Sequence, residues 1–457
     1  MILSYLLFLL SLLHVKAYDA PPAVFNAADF TNWKKKYENS KLAVIAVPFV
    51  NAAGESDTIM MKRMDLVGDE YTRGRAHGAL LALDIVEFVK VKLPVYYADM
   101  ILNIDTTKLP EIIQAKIKQF ALKAPEIFNE AMQYVYDQED QYMPVALIDE
   151  MNGIAEGVCD TLGQGCNVTE WSIDIKRVNM LPELIRMACT AYGAWGKASS
   201  GNDDGTLVQV RALDFGNGPF ANYTVVSVHR NPGSRAFVMV GFPGFVGAVT
   251  GIAQNGIGIS EKVWMTYDKN DIQRGRYDGE PDVFVLRDIL QYSSTREEAE
   301  AYVNSVKRTW AIFIGVGDFA SQKFDIIGYK RSSVDVYDDV TMPDVTGQPY
   351  LPSVVYVDKH PQPSGEGPNG TLPTALTDFY GDISSESSRT ILQFHETGDV
   401  HIAIYDYGTS EMLVSIGRIN KNGAYGPDES SSGDQNEWKA FNRPYVKFDL
   451  EVLWAGN

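Results

Sequence analysis

The period of the apolar residues changes at Cys189, and that change limits the folds open to this chain. After a mixed stretch, residues 80–91 carry Leu80, Leu81, Leu83, Ile85, Val86, Phe88 and Val89 at helical spacing. The same pattern predicts helices over 111–136 and 147–158, and a further helical segment over 179–187 that Pro182 opens. From Cys189 onward, short alternating or β-branched runs take over, at 207–213, 224–229, 236–240 and 248–253. Asn217-Gly218, Asn231-Pro232-Gly233, Phe242-Pro243-Gly244 and Asn255-Gly256 punctuate them, as in a strand meander. Two helices follow, over 282–292 and 295–306. The second opens with Ser294 and Thr295 ahead of Glu297 and Glu298, an N-cap pattern. Strands return near 310–316, 323–329, 353–357, 400–405 and 412–415, and the Pro- and Gly-rich stretch 340–378 reads as a surface excursion. Strands, then helices, then strands predict an α+β protein built in layers.

The chain has 457 residues, 45% apolar and 22% charged, ample for a buried core. Its net charge of −19 repels phosphate backbones, so nucleic acid is not an expected partner. Residues 2–13 form an apolar run too short to span a bilayer, and Val15-Lys16-Ala17 offers small residues at a cleavage site. Residues 1–17 are therefore expected to be a signal peptide, directing the protein to secretion or the lysosome. No later segment is apolar enough for a membrane span. Sequons at Asn167, Asn222 and Asn369 fit that route as glycosylation sites. His77, His229, His395 and His401 are scattered without metal-ligand spacing and read as structural, so no metal or cofactor is expected.

Three cysteines leave one thiol over in an oxidising compartment. Cys159 and Cys166 flank a short segment with two glycines and can close a small disulfide loop, which leaves Cys189. The count alone also allows a buried, inert Cys189 or its pairing with either neighbour. Its surroundings suggest more. Cys189 opens a predicted strand, and the next strand ends Arg211-Ala-Leu-Asp214. A thiol attacks as its thiolate and needs a nearby base or positive charge. Cleavage between Ala188 and Cys189 would free an α-amine of reference pKa about 7.7–8.0, a built-in base that requires no histidine. Asp214 could hold the ammonium, and Arg211 could stabilise the thiolate. On spacing alone the Arg211/Asp214 pair reads sooner as a strand-end salt bridge.

These residues resemble the N-terminal-nucleophile hydrolases, in the branch of acid ceramidase, N-acylethanolamine acid amidase, isopenicillin-N acyltransferase and the bile-salt hydrolases. Beyond Cys189 and Arg211-x-x-Asp214, the resemblance rests on Tyr71-Thr-Arg-Gly74-Arg75-Ala-His77-Gly78, on Glu150-Met-Asn-Gly153-Ile-Ala155-Glu-Gly157 and on Gly251-Ile-Ala-Gln-Asn255-Gly256-Ile-Gly258. It implies a four-layer αββα sandwich cut autocatalytically before Cys189, with a mostly helical segment 18–188 and a catalytic segment 189–457. It also implies Cys189 as nucleophile, Arg211 and Asp214 in support, Asn255 as an oxyanion donor and Glu261 as a nearby carboxylate. The family's second oxyanion asparagine corresponds to Lys359 in Val357-Asp358-Lys359-His360, so Lys359 or His360 is the expected second donor.

The resulting expectation is a self-processed, two-chain amidohydrolase acting on a small-molecule acyl amide through a thioester. An acyltransferase would use the same intermediate. A papain-like protease would need a histidine partner and a local cysteine signature that this chain lacks. A non-catalytic secreted glycoprotein would keep Cys189 buried and idle.

Overall fold

The computed structural model describes residues 18–456 except 52–53, 103–122, 185–187, 217, 232–234, 265–276, 362–365, 368 and 428–433. The expected signal peptide and the first part of the expected helix 111–136 lie outside the described residues. Seventeen strands, numbered in chain order, form two sheets among the described residues. The first sheet has the order β1 (Val24–Asn26), β17 (Tyr445–Asp449), β16 (Glu411–Ile416), β15 (His401–Asp406), β6 (Val208–Asp214), β5 (Ala188–Ala194), β14 (Val354–Val357). The second runs β13 (Val334–Tyr337), β12 (Lys323–Lys330), β11 (Ala311–Asp318), β10 (Ile257–Val263), β9 (Thr250–Ala253), β8 (Phe237–Gly241), β7 (Val225–Arg230), β4 (Ser56–Val67), β3 (Ser40–Val50), β2 (Thr31–Tyr37).

The longer helices are α1 (Glu70–Leu80), α2 (Leu93–Leu102), α3 (Ala124–Glu139), α4 (Val145–Leu162), α5 (Val168–Asn179), α6 (Asp282–Tyr292), α7 (Arg296–Ser305), α8 (Thr371–Asp378) and α9 (Ser385–His395). The alternation of side chains along each strand builds the layers. Ala191, Ala403, Tyr405 and Val414 of the first sheet meet Val226, Val238, Ile252 and Phe313 of the second in a central core. The opposite face of the first sheet, with Tyr192, Val210 and Ala212, packs on α8 and α9. The opposite face of the second sheet packs on α1 and α4 at one end and on α6 and α7 at the other. The architecture is the expected αββα sandwich.

Several sequence expectations return with small shifts. The helix over 282–292 is α6, and Thr295 caps α7 by accepting from the Glu298 N–H at 3.1 Å. Cys159 and Cys166 are disulfide-bonded. The stretch 340–378 is not a bare excursion, because it contains β14 and α8. Segment 18–188 is less helical than expected. It contributes β1 to β4, and the alternating burial of β3 and β4 matches one face set against a core. These strands pair across the expected cleavage point: β4 runs parallel to β7, and β1 runs parallel to β17.

The glycine motifs of 71–78 and 150–157 serve packing. Gly74 and Gly78 of α1 face Gly153 and Gly157 of α4, each spaced by one helical turn. A Cβ on any of them would collide with backbone carbonyls of the other helix, those of Glu150, Ile154, Tyr71 and Arg75. The close approach also buries Glu150, which pairs with Arg287 at 2.9 Å and lies 3.7 Å from Arg73. Neither backbone can yield locally, so Gly157→Ala is expected to cost about 3 kcal/mol, the upper range for overpacking. Gly241→Ala, where nothing lies within 4 Å, should stay within about 0.5 kcal/mol. Denaturant unfolding of both variants measures the contrast, and equal effects would refute the packing account.

Candidate active site

Cys189 sits at the second residue of β5, with its sulfur fully buried. The register explains its neighbours. Cys189 opposes Leu213 on β6, and Leu213 opposes His401 on β15, so the three share one row and one face. Arg211, two residues from Leu213, projects from the same face. Its Nη2 lies 3.2 Å from Cys189 Sγ and 3.3 Å from Glu261 Oε2, and Glu261 Oε2 is 3.7 Å from the sulfur. Arg211 Nη1 meets His401 Nε2 at 3.0 Å, and Thr250 Oγ1 lies 3.2 Å from the same nitrogen. The guanidinium thus ties β6 to β15 and to β10 of the other sheet.

Asp214 occupies the opposite face of β6, across from Ala188. Its carboxylate accepts from the Thr397 hydroxyl at 2.6 Å and from the Gly398 N–H at 2.7 Å; the Thr397 hydroxyl is 2.7 Å from that of Thr190. Asp214 therefore lies beside the backbone of the bond before Cys189, while Arg211 lies beside the sulfur.

Burial pushes the Cys189 thiol up; Arg211 and Lys262 pull it down, and Glu261 and Asp214 oppose them. Burial likewise raises the Glu261 carboxyl against the pull of Arg211 and Lys262. Lys262, buried on β10, is itself lowered by desolvation. In the uncut chain the thiol is thus held protonated. The His401 ring is kept neutral by burial and by Arg211, which suits an acceptor that orients the guanidinium.

Cys189 shares a core with Phe88, Phe128, Phe220 and Phe242. A narrow crevice in the same core is lined by Leu181, Pro182, Phe220, Phe242, Phe245 and Val283. The Gly244 N–H at the loop's turn donates to His77 Nε2 at 3.0 Å, which gives His77 a structural role.

Two expected site residues are not brought to the sulfur. Asn255 turns the chain between β9 and β10, and its amide donates to the Ser293 carbonyl at 3.0 Å. It is six residues from Glu261, roughly 20 Å of extended chain, because β10 runs from that turn toward the site. Lys359 instead donates to the carbonyls of His395 at 3.1 Å and Glu396 at 2.6 Å, at the end of α9; burial raises the Asp214 carboxyl, and the Lys359 charge pulls against that rise. The sequence reading missed Lys262 and the Thr190–Thr397 contact, and took His401 as merely structural. Their roles depend on pairing between strands far apart in the chain.

No family model matches this chain. It is similar to two proteins of Dictyostelium discoideum. Protein dcd1B is 31% identical over 378 residues, covering 80% of this chain and 70% of that protein. Protein dcd1A is 30% identical over 406 residues, covering 86% and 85%. Among solved structures, a Caenorhabditis elegans ortholog of N-acylethanolamine-hydrolyzing acid amidase overlaps 48% of this chain and 93% of its own, with TM-score 0.38 and 16% identity. A mutant conjugated bile acid hydrolase from Clostridium perfringens overlaps 57% and 96%, with TM-score 0.32 and 13% identity.

The buried acids make stability depend on pH. Burial pushes Glu183 and Asp399 up to about 7 and Glu280 up to about 8. A raised folded pKa stabilises the fold at pH values below the unfolded pKa, near 4. That contribution is lost as pH rises through the folded value. The buried histidines oppose it only below about 6.5. Thermal unfolding should therefore occur at a higher temperature at pH 6.5 than at pH 8.5; a flat or reversed profile would contradict these carboxyl environments.

Proposed function

The chain belongs to the family of the Dictyostelium discoideum proteins dcd1A and dcd1B, and for it we propose a cysteine amidohydrolase that cuts itself between Ala188 and Cys189. The observation that carries this reading is Arg211 Nη2, 3.2 Å from the buried Cys189 Sγ. A structural cysteine gains nothing from a buried guanidinium, whereas a nucleophilic one needs its charge.

In self-cleavage the Cys189 thiol adds to the Ala188 carbonyl carbon, and the C–N bond breaks as the nitrogen takes the thiol's proton. Water then hydrolyses the resulting thioester, releasing the Ala188 carboxylate and restoring the thiol. The freed α-amine becomes the base. In this reading Asp214, across the ladder from Ala188, holds its ammonium form. In turnover the amine takes the thiol proton and the thiolate attacks the acyl carbon of an amide. The leaving nitrogen departs with that proton, and water resolves the acyl-enzyme to a carboxylic acid. The apolar residues that share a core with Cys189 favour an apolar acyl group, and the substrate class of this reading is a linear N-acyl amide. Secretion or lysosomal delivery, with glycans at Asn167, Asn222 and Asn369, belongs to the same reading; all three asparagines are exposed. Among the described residues no helix is long and apolar enough to cross a membrane.

Wild-type protein incubated with long-chain N-acyl amides and quenched in acid should carry an acyl thioester on the Cys189 peptide. Cys189→Ala should stay a single chain and lose hydrolysis by at least about 10³-fold. If that variant still splits at the same bond, self-cleavage by Cys189 is wrong. Asn255→Ala tests the geometry separately. An oxyanion donor costs about 10²–10³ in rate when removed, but at its distance from the sulfur Asn255→Ala should cost less than about tenfold. A loss in the full oxyanion range would return Asn255 to the site.

A further inference from the structure

His395, read as scattered in the sequence, meets His360 and Glu366 in one place. We propose that His360, Glu366 and His395 form a binding site for a single zinc ion that braces the outer layer of the seven-stranded sheet. The three come from separate pieces of chain: the turn after β14, the segment before α8 and the last residue of α9. One potential ligand atom from each lies within 4.8 Å of the others. Glu366 Oε2 is 3.4 Å from His395 Nδ1, and Glu366 Oε1 is 3.9 Å from His360 Nδ1. Tetrahedral ligands about 2.0–2.1 Å from zinc stand roughly 3.3 Å apart, so small rotations close the set.

The donor chemistry selects the ion. Two imidazoles and a carboxylate suit zinc, whereas calcium and magnesium take all-oxygen sets. The surroundings already hold these side chains in place. Glu366 accepts from the Thr371 N–H at 2.6 Å and the Leu372 N–H at 3.3 Å. The Thr371 hydroxyl bridges Glu366 and His395 Nδ1, at 2.6 Å from the ring nitrogen, and must turn aside as the metal enters. Asp358 accepts from the His360 N–H at 2.8 Å and faces its ring at 3.4 Å. Outer contacts of this kind orient metal ligands.

The location defines the role. β14 is the edge strand beside β5, with Val357 opposite Ala191. A zinc ion here would tie that edge to α8 and α9 and use none of the groups around the sulfur. The proposal is independent of the hydrolase reading.

The test uses the purified full-length protein, dialysed against chelator and titrated with zinc chloride. Bound metal is counted by mass spectrometry and unfolding is followed by temperature. One equivalent of zinc and a melting temperature that rises with zinc but not with calcium are expected. His360→Gln changes a side chain that is 37% exposed, and Glu366→Gln keeps the shape and the acceptor on Thr371. Each should fold and bind zinc more than about 10–100-fold more weakly, the loss that even outer-contact changes cause. No bound zinc in the wild type, or unchanged affinity in both variants, overturns the site.

Discussion

One buried guanidinium, Arg211, organises the centre of this protein. It is fully buried and bonded to the Cys189 sulfur, the Glu261 carboxylate and the His401 ring. A buried charge is tolerated only when paired and hydrogen-bonded. Glu261 supplies the pairing, and it comes from the other sheet. The contact therefore fixes how the two sheets meet at the start of β5. Burial, with the Glu261 charge set against that of Arg211, keeps the uncut thiol protonated. A new α-amine after cleavage would add the missing base beside Asp214, on the other face of the strand.

The strands that precede Cys189 give the proposed cleavage a structural context. β4 pairs with β7, and β1 pairs with β17 near the end of the chain. The α1–α4 pair, fitted glycine to glycine, packs on the second sheet. A cut before Cys189 would leave these ladders and interfaces intact, so the two pieces would remain one folded body.

Local signals carried much of this structure in the sequence. Period and turn residues placed the strands after Cys189, and the Thr295 cap placed α7. Arg211 and Asp214 were legible as the end of the strand after Cys189; that they lie on opposite faces, one toward the sulfur and one toward the backbone, shows only in the pairing of β5 and β6. Long-range pairing was not legible. The hairpin of β3 and β4 was lost in a stretch of mixed pattern. Asn255 looked suitable by motif, yet the direction of β10 carries it away from the site. Lys359 stood in the oxyanion position by alignment, but the open carbonyls at the end of α9 take its ammonium group. His360, Glu366 and His395 are spread over 36 positions of sequence and meet only through the packing of β14 against α8 and α9.

The central claim is that the bond before Cys189 is broken by Cys189 itself, creating the working nucleophile. N-terminal sequencing of the larger fragment of the purified protein tests it most directly. The account predicts a fragment beginning Cys-Thr-Ala-Tyr. A chain that stays whole while hydrolysing amides, or a fragment beginning at another residue, would contradict it.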